Sequence, residues 1–244
     1  MSALEWVCVL MGSFGFGLSK TGIPGVGILG VALFAIAKPK SNGIALPLLL
    51  AADCVSGYAY FRYAVWSKML RMFPWAALGV LGGFWLLGRV PGQLNLVIGW
   101  ILIVLCVFAM WWRWFRTAAP DPEKPDQHSV FFEIATGILS GFTTMVANAA
   151  GPVMILYLLR MRLPKLQFVA TCSCFFLVLN LFKVPFLVYL GLIDAESLRY
   201  DLPLFPLSLL GAFVGWWLLK HINQVLFEAL CLVFTLIAAI YLVK

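Results

Sequence analysis

Apolar positions fill ten runs, at about 3–18, 22–37, 42–61, 70–88, 94–115, 130–145, 150–161, 166–190, 201–219 and 224–243, with short polar stretches between them. A helix needs about 20 apolar residues to cross the hydrocarbon core. Most of the runs meet that length and are hydrophobic all round, so they predict transmembrane helices. The first, second, sixth and seventh are short. They form two adjacent pairs, each followed by three fuller spans. The pattern predicts an all-α polytopic membrane protein of eight to ten segments, each half a broken or re-entrant helix pair plus three transmembrane helices.

The two short pairs contain what a continuous membrane helix would lack. Gly15 to Gly27 carries Lys20, the hydroxyls of Ser19 and Thr21, five glycines and Pro24. Thr143 to Pro152 carries Thr144, Asn148, Gly151 and the proline. Unsatisfied backbone in hydrocarbon costs several kcal/mol per group, so such breaks persist only where protein or a water-filled cavity covers them. A charge at that depth costs at least about 2.5–3.5 kcal/mol. Thr21 followed by Pro24 predicts a helix start, and Asn148 followed by Pro152 predicts a second. Two helix N-termini would then approach the bilayer centre from opposite sides, each with about half a positive charge and free N–H donors. Lys20, Thr21, Gly22, Gly25, Asn148, Ala149 and Gly151 are therefore the candidate contacts for a small anion. Against this, the glycines could serve only close helix packing, and Lys20 could snorkel to the interface.

Further polar residues lie inside apolar runs. Asn180 and Lys183, three apart, share a helix face and join the candidate site, with Thr171 and Ser173 one to three turns earlier. The corresponding helix of the first half carries Asp53, Ser56 and Tyr58. Asp53 is either half of a buried ion pair, with Lys20 or Lys183, or the carrier of a coupling proton, because charges in membranes usually pair or relay protons.

Composition agrees with a membrane protein. Hydrophobic residues make up 63% and charged residues 11%, against about 25% charged in soluble domains, and the mean hydropathy is +1.00. The net charge of +7 falls mostly in short loops, as cytoplasmic anchoring requires, which argues against nucleic acid as a partner. The six cysteines lie in apolar runs and read as buried free thiols. His128 and His221 cannot build a metal cluster. There is no Gly-x-Ser-x-Gly nucleophile turn and no ATP-binding P-loop. Hence no enzyme, no metal and no cofactor is expected, and transport would be driven by an ion gradient or by the substrate's own.

The chain divides into a first membrane repeat at 1–115, a Pro-rich polar linker at 116–129 and a second repeat at 130–244. Pro39-Lys40 aligns with Pro164-Lys165 at an offset of 125, and Gly79-x-x-x-Gly83-x-Trp85 with Gly211-x-x-x-Gly215-x-Trp217 at 132. The difference fits an insertion near 192–199. Basic residues place the regions of Arg62, Lys68 and Arg71, of Arg113 and Arg116, of Arg160, Arg162 and Lys165, and of Lys220 inside. The loops at 89–93 and 191–201 go outside, and only Lys38 and Lys40 run against the rule. The first charge, Glu5, is acidic, and no basic leader opens the chain. Both termini are expected outside, with the halves as inverted repeats. Trp66, Trp75, Trp111, Trp112 and Trp114 flank span ends as interface anchors; Trp85 and Trp217 read as packing residues. Gly79/Gly83 and Gly211/Gly215 read as helix contacts, within a subunit or across a homodimer.

The glycine-rich opening from Gly15 to Gly27 resembles that of the TauE/SafE membrane permeases, also called the 4-toluene sulfonate uptake permease family. Asn148-Ala149-Ala150-Gly151-Pro152, Tyr157-Leu158-Leu159, Lys165, Phe168, Thr171, Phe176, Asn180, Lys183 and Pro185 extend the resemblance over the second half. Lys20-Thr21 departs from the family's commoner glycine triplet. The resemblance implies a secondary transporter of sulfur-containing anions, sulfite or organosulfonates such as sulfoacetate, in the bacterial inner membrane. The expected partners are that anion and the lipid bilayer. An anion channel, or a carrier of small carboxylates, is the alternative.

Overall fold

A computed structural model describes residues 3–37, 41–89 and 130–243. The run at 94–115, the linker, the 38–40 loop, Cys106, His128, Trp111, Trp112 and Trp114 lie outside the described residues. The described chain is helical: α1 (Ala3–Thr21), α2 (Val26–Ala37), α3 (Ser41–Tyr60), α4 (Trp66–Leu87), α5 (Val130–Ala147), α6 (Gly151–Arg160), α7 (Lys165–Tyr189), α8 (Ala195–Asp201), α9 (Phe205–His221) and α10 (Gln224–Val243). Single 3-10 turns follow α3 and α8. Among the described residues, five helical stretches are long and apolar enough to cross a membrane: Gly43–Tyr63, Trp66–Leu87, Val130–Ala147, Lys165–Tyr189 and Ala195–His221. The protein is an all-α membrane protein.

Both breaks exist, at shifted boundaries. The hydroxyl of Thr21 does not start a helix; Thr21 is the last residue of α1. α2 begins only at Val26, because Pro24 offers no N–H and Gly25 stands at φ +109°, outside any helix. Asn148 is likewise not a cap. It holds the left-handed conformation, φ 50°, which asparagine tolerates better than most residues, and α6 begins after Ala150 with no side-chain cap. The segment at 191–201, expected as a loop, contains α8, started by a capping box in which Asp194 accepts from the Ser197 backbone N–H at 2.7 Å.

Glycines set how the helices meet. α1 lies on α9 and α4 lies on α5. A Cβ on Gly17 would stand 1.8 Å from the Ser208 carbonyl oxygen, and one on Gly211 2.0 Å from that of Phe14. On the other pair, a Cβ on Gly79 would stand 2.1 Å from the Ile138 oxygen and one on Gly141 1.8 Å from that of Ala76. Backbones this close need positions without a side chain, as in small-xxx-small packing. Gly82, on the same helix as Gly79, meets nothing within 4 Å. Gly82→Ala is therefore expected to leave the melting temperature in detergent unchanged or raise it, since alanine is up to about 1 kcal/mol better in a helix.

α3 and α7 pack on each other between these pairs, and α3 also touches α1, α2, α8 and α9. One buried cluster gathers Tyr157, Phe168, Phe175 and Leu179, and a second gathers Phe16, Phe34 and Leu48. Trp85 and Trp217 are not core residues: they are 58% and 52% exposed and face outward. Their helices turn the glycine face inward, which leaves the tryptophan two positions on to point away. Arg89 lies over the Trp85 ring at 3.8 Å and His221 against Trp217 at 4.3 Å, contacts suited to a membrane interface.

Candidate functional site

Lys20 sits in the last turn of α1, next to the first break. Its ammonium lies 2.8 Å from Oδ1 of Asp53, in the middle of α3, and over the Phe176 ring at 4.4 Å. Asn180 of α7 donates to Oδ2 of Asp53 at 2.7 Å. Asp53 is fully buried and Lys20 nearly so. Of the two lysines open to Asp53 from the sequence, Lys20 is the partner.

Lys183, also fully buried, serves the other break. It donates to the Thr144 carbonyl at 3.0 Å, the Thr144 hydroxyl at 3.1 Å and Oδ1 of Asn148 at 2.5 Å. All three ammonium donors are thereby engaged. The side chain straps the C-terminal end of α5 and holds Asn148 in its left-handed turn. The equivalent end of α1 is held by hydroxyls. Ser56 and Ser173 reach the Lys20 carbonyl at 2.6 and 2.7 Å, and Tyr60 donates to the Thr21 carbonyl at 3.0 Å.

These bonds settle the electrostatics. The last carbonyls of a helix carry its negative end and need partners. At the first break side chains from α3 and α7 supply them, and at the second Lys183 of α7 does. The opposite ends, the N-termini of α2 and α6, border a pocket instead. Pro24, Gly25 and Gly27 line it from the first break; Asn148, Gly151 and Pro152 line it from the second; Lys20, Asn180, Ser173, Cys172 and Phe176 complete the wall. It is small, a cavity of about 50 Å³, enough for a few water-sized groups. Positive helix ends border it beside an ammonium paired with Asp53, and the negative ends are capped off. Such a pocket favours a small anion.

The structure brings together Lys20, Gly25, Asn148, Gly151 and Asn180 on this pocket and Asp53 behind Lys20. It places the other candidates elsewhere. The Thr21 hydroxyl donates to the Ala212 carbonyl at 2.5 Å, and Gly22 packs against Gly215; both serve the contact with α9. Ala149 is fully buried and off the pocket wall. Lys183 stands behind Asn148. Tyr58 points outward. Ser19, Thr144, Cys172 and Phe176 line the pocket without having been singled out for it. Cys172, Phe176 and Asn180 recur at four-residue spacing and Lys183 follows three later, a helical stripe that could have drawn Cys172 and Phe176 into the site.

Residues 5–242 match the family described as Sulfite exporter TauE/SafE. The chain belongs to the TauE/SafE family. It is a multi-pass membrane transporter, not an enzyme. A similar protein is the "Probable inner membrane transporter protein TsaS" of Comamonas testosteroni, 26% identical over 195 residues that cover 79% of this chain and 78% of the relative. No solved structure matches this TauE/SafE protein.

Proposed function

We propose that this TauE/SafE protein is a secondary transporter of small sulfur-containing anions, sulfite or organosulfonates such as sulfoacetate, in the bacterial inner membrane. The observation that carries this reading is the convergence of both helix breaks and Lys20 on one pocket. A sulfonate head is compact, anionic and rich in acceptor oxygens, which suits N–H donors approached along glycine backbone. Substrate contacts are assigned to Lys20, Gly25, Asn148, Gly151 and Asn180, with Lys183 holding Asn148 in place.

The halves 1–115 and 130–244 are inverted repeats in this proposal, joined by a cytoplasmic linker at 116–129, with both termini outside. The helix pairing supports it. α1 of the first half clasps α9 of the second, and α5 of the second clasps α4 of the first, the same contact with the halves exchanged. Alternating access then moves these two glycine-locked pairs about the central α3–α7 contact, with the anion held near the bilayer midplane.

Proteoliposome flux tests this. Labelled sulfite and sulfoacetate uptake should saturate and should accelerate when unlabelled anion is loaded inside. Unitary currents without that acceleration would make the protein a channel. Uptake of acetate in place of every sulfur anion would make it a carboxylate carrier.

A further inference from the structure

An anion that enters the pocket meets a carboxylate already on its lysine. Asp53 Oδ1 lies 2.8 Å from Lys20 Nζ, and Asp53 has no exposure to water. If Asp53 stayed ionised while the anion took over Lys20, a buried carboxylate would lose its counter-ion, and breaking a buried pair in that way is strongly unfavourable. The two carboxylate oxygens differ. Oδ2 accepts from Asn180, a bond that a carboxylate and a neutral carboxylic acid can both accept. Oδ1 faces the Lys20 ammonium, so once Lys20 turns to the anion a proton can be added there without disturbing Asn180. Lys20 has three donors, and beyond Asp53 its ammonium meets the Phe176 face, which leaves donor capacity on the pocket side.

We propose that Asp53 is a proton site and that the transporter takes up a strong-acid monoanion of the sulfonate class together with one proton. This rests on the transport function proposed above and adds its coupling ion. The proton, drawn from water, forms an O–H bond at Oδ1 and neutralises the carboxylate. The anion's charge replaces it beside Lys20, so the site's net charge is unchanged. On release both leave, and the Lys20–Asp53 pair re-forms to carry the empty protein back. The charged groups that act on Asp53 are Lys20 from α1 and Lys183 from α7. The thiols of Cys54 on its own helix and of Cys172 and Cys174 on α7 also feel its charge. α2 has no titratable side chain, and among the described residues no charge of α8, α9 or the turn at Phe61–Tyr63 joins these.

The test uses methanesulfonate, which stays a monoanion throughout the working range. Its affinity for the purified full chain is measured from about pH 5 to about pH 8, for wild type, Asp53→Asn and Asp53→Glu. In the wild type, affinity should rise up to about tenfold for each unit the pH falls, the slope for one linked proton. Asp53→Glu should keep that slope, and Asp53→Asn should bind with none. In proteoliposomes held at zero voltage, an inward methanesulfonate gradient should acidify the lumen with wild type. A flat wild-type profile together with intact anion exchange overturns the proton site and leaves the transport function standing. An unchanged slope in Asp53→Asn, loss of all binding in a folded Asp53→Asn protein, or a flat Asp53→Glu profile overturns the assignment to Asp53. A wild type that neither binds nor moves methanesulfonate, sulfite or sulfoacetate at any pH fails the transport function itself.

Discussion

Lys20→Ala is expected to abolish sulfonate uptake in proteoliposomes and to destabilise the protein by about 3–5 kcal/mol, the usual consequence of removing one partner from a buried ion pair. The two effects have different origins, and a second substitution separates them. Asp53 is fully buried, so the loss of stability comes from its carboxyl, which must stay charged without its counter-ion or take up a proton, with Asn180 as its remaining hydrogen-bond partner. Adding Asp53→Asn removes that charge and should recover most of the melting temperature in detergent. Such recovery marks the strong coupling expected of residues in contact. Uptake should stay lost in the double variant, because the positive charge facing the pocket is still missing. A double variant that transports normally would take Lys20 out of the binding site and leave it as a structural partner of Asp53.

The second large effect is expected at the glycine-locked helix contacts. In Gly141→Ala the new Cβ would stand 1.8 Å from the Ala76 carbonyl oxygen and 2.9 Å from the Val80 nitrogen. Both are backbone atoms, so no rotamer change can relieve the overlap; α4 and α5 must separate. Overpacking commonly costs about 1–3 kcal/mol where side chains can adjust, and this contact should reach the top of that range or pass it. Gly17→Ala meets the Ser208 carbonyl oxygen at the same 1.8 Å and should behave alike. Size-exclusion profiles and thermal unfolding should show poor yield and lower melting for both, while Gly82→Ala on the same helix as Gly79 behaves as wild type. Equal behaviour of all three would mean that α4–α5 and α1–α9 do not hold the fold.

Local chemistry made much of this protein legible. Hydrophobic runs set the spans because lipid leaves the backbone no alternative to helix. Gly22-Ile23-Pro24-Gly25 and Asn148 to Pro152 marked both breaks, since proline removes a donor and glycine or asparagine allows left-handed backbone. Lys20, Asp53, Asn180 and Lys183 stood out because a charge or an amide in an apolar run requires a partner. The glycine spacing on α4 and α9 announced close helix contacts.

What the tertiary structure alone decided is who partners whom. Asp53 could have met Lys20 or Lys183 from the sequence, and the packing of α1 and α7 around α3 gave it Lys20 and sent Lys183 to Thr144 and Asn148. Thr21 and Gly22 looked like pocket residues, and their place on the face toward α9 took them away from it. Trp85 and Trp217 looked like packing residues, and the inward turn of their glycine faces put them outside. Hydropathy and turn chemistry act within a few residues along the chain. Pairings such as Ser56 with Ser173 or Asn180 with Asp53, separated by 117 and 127 residues, depend on how whole helices pack, and no local pattern encodes that.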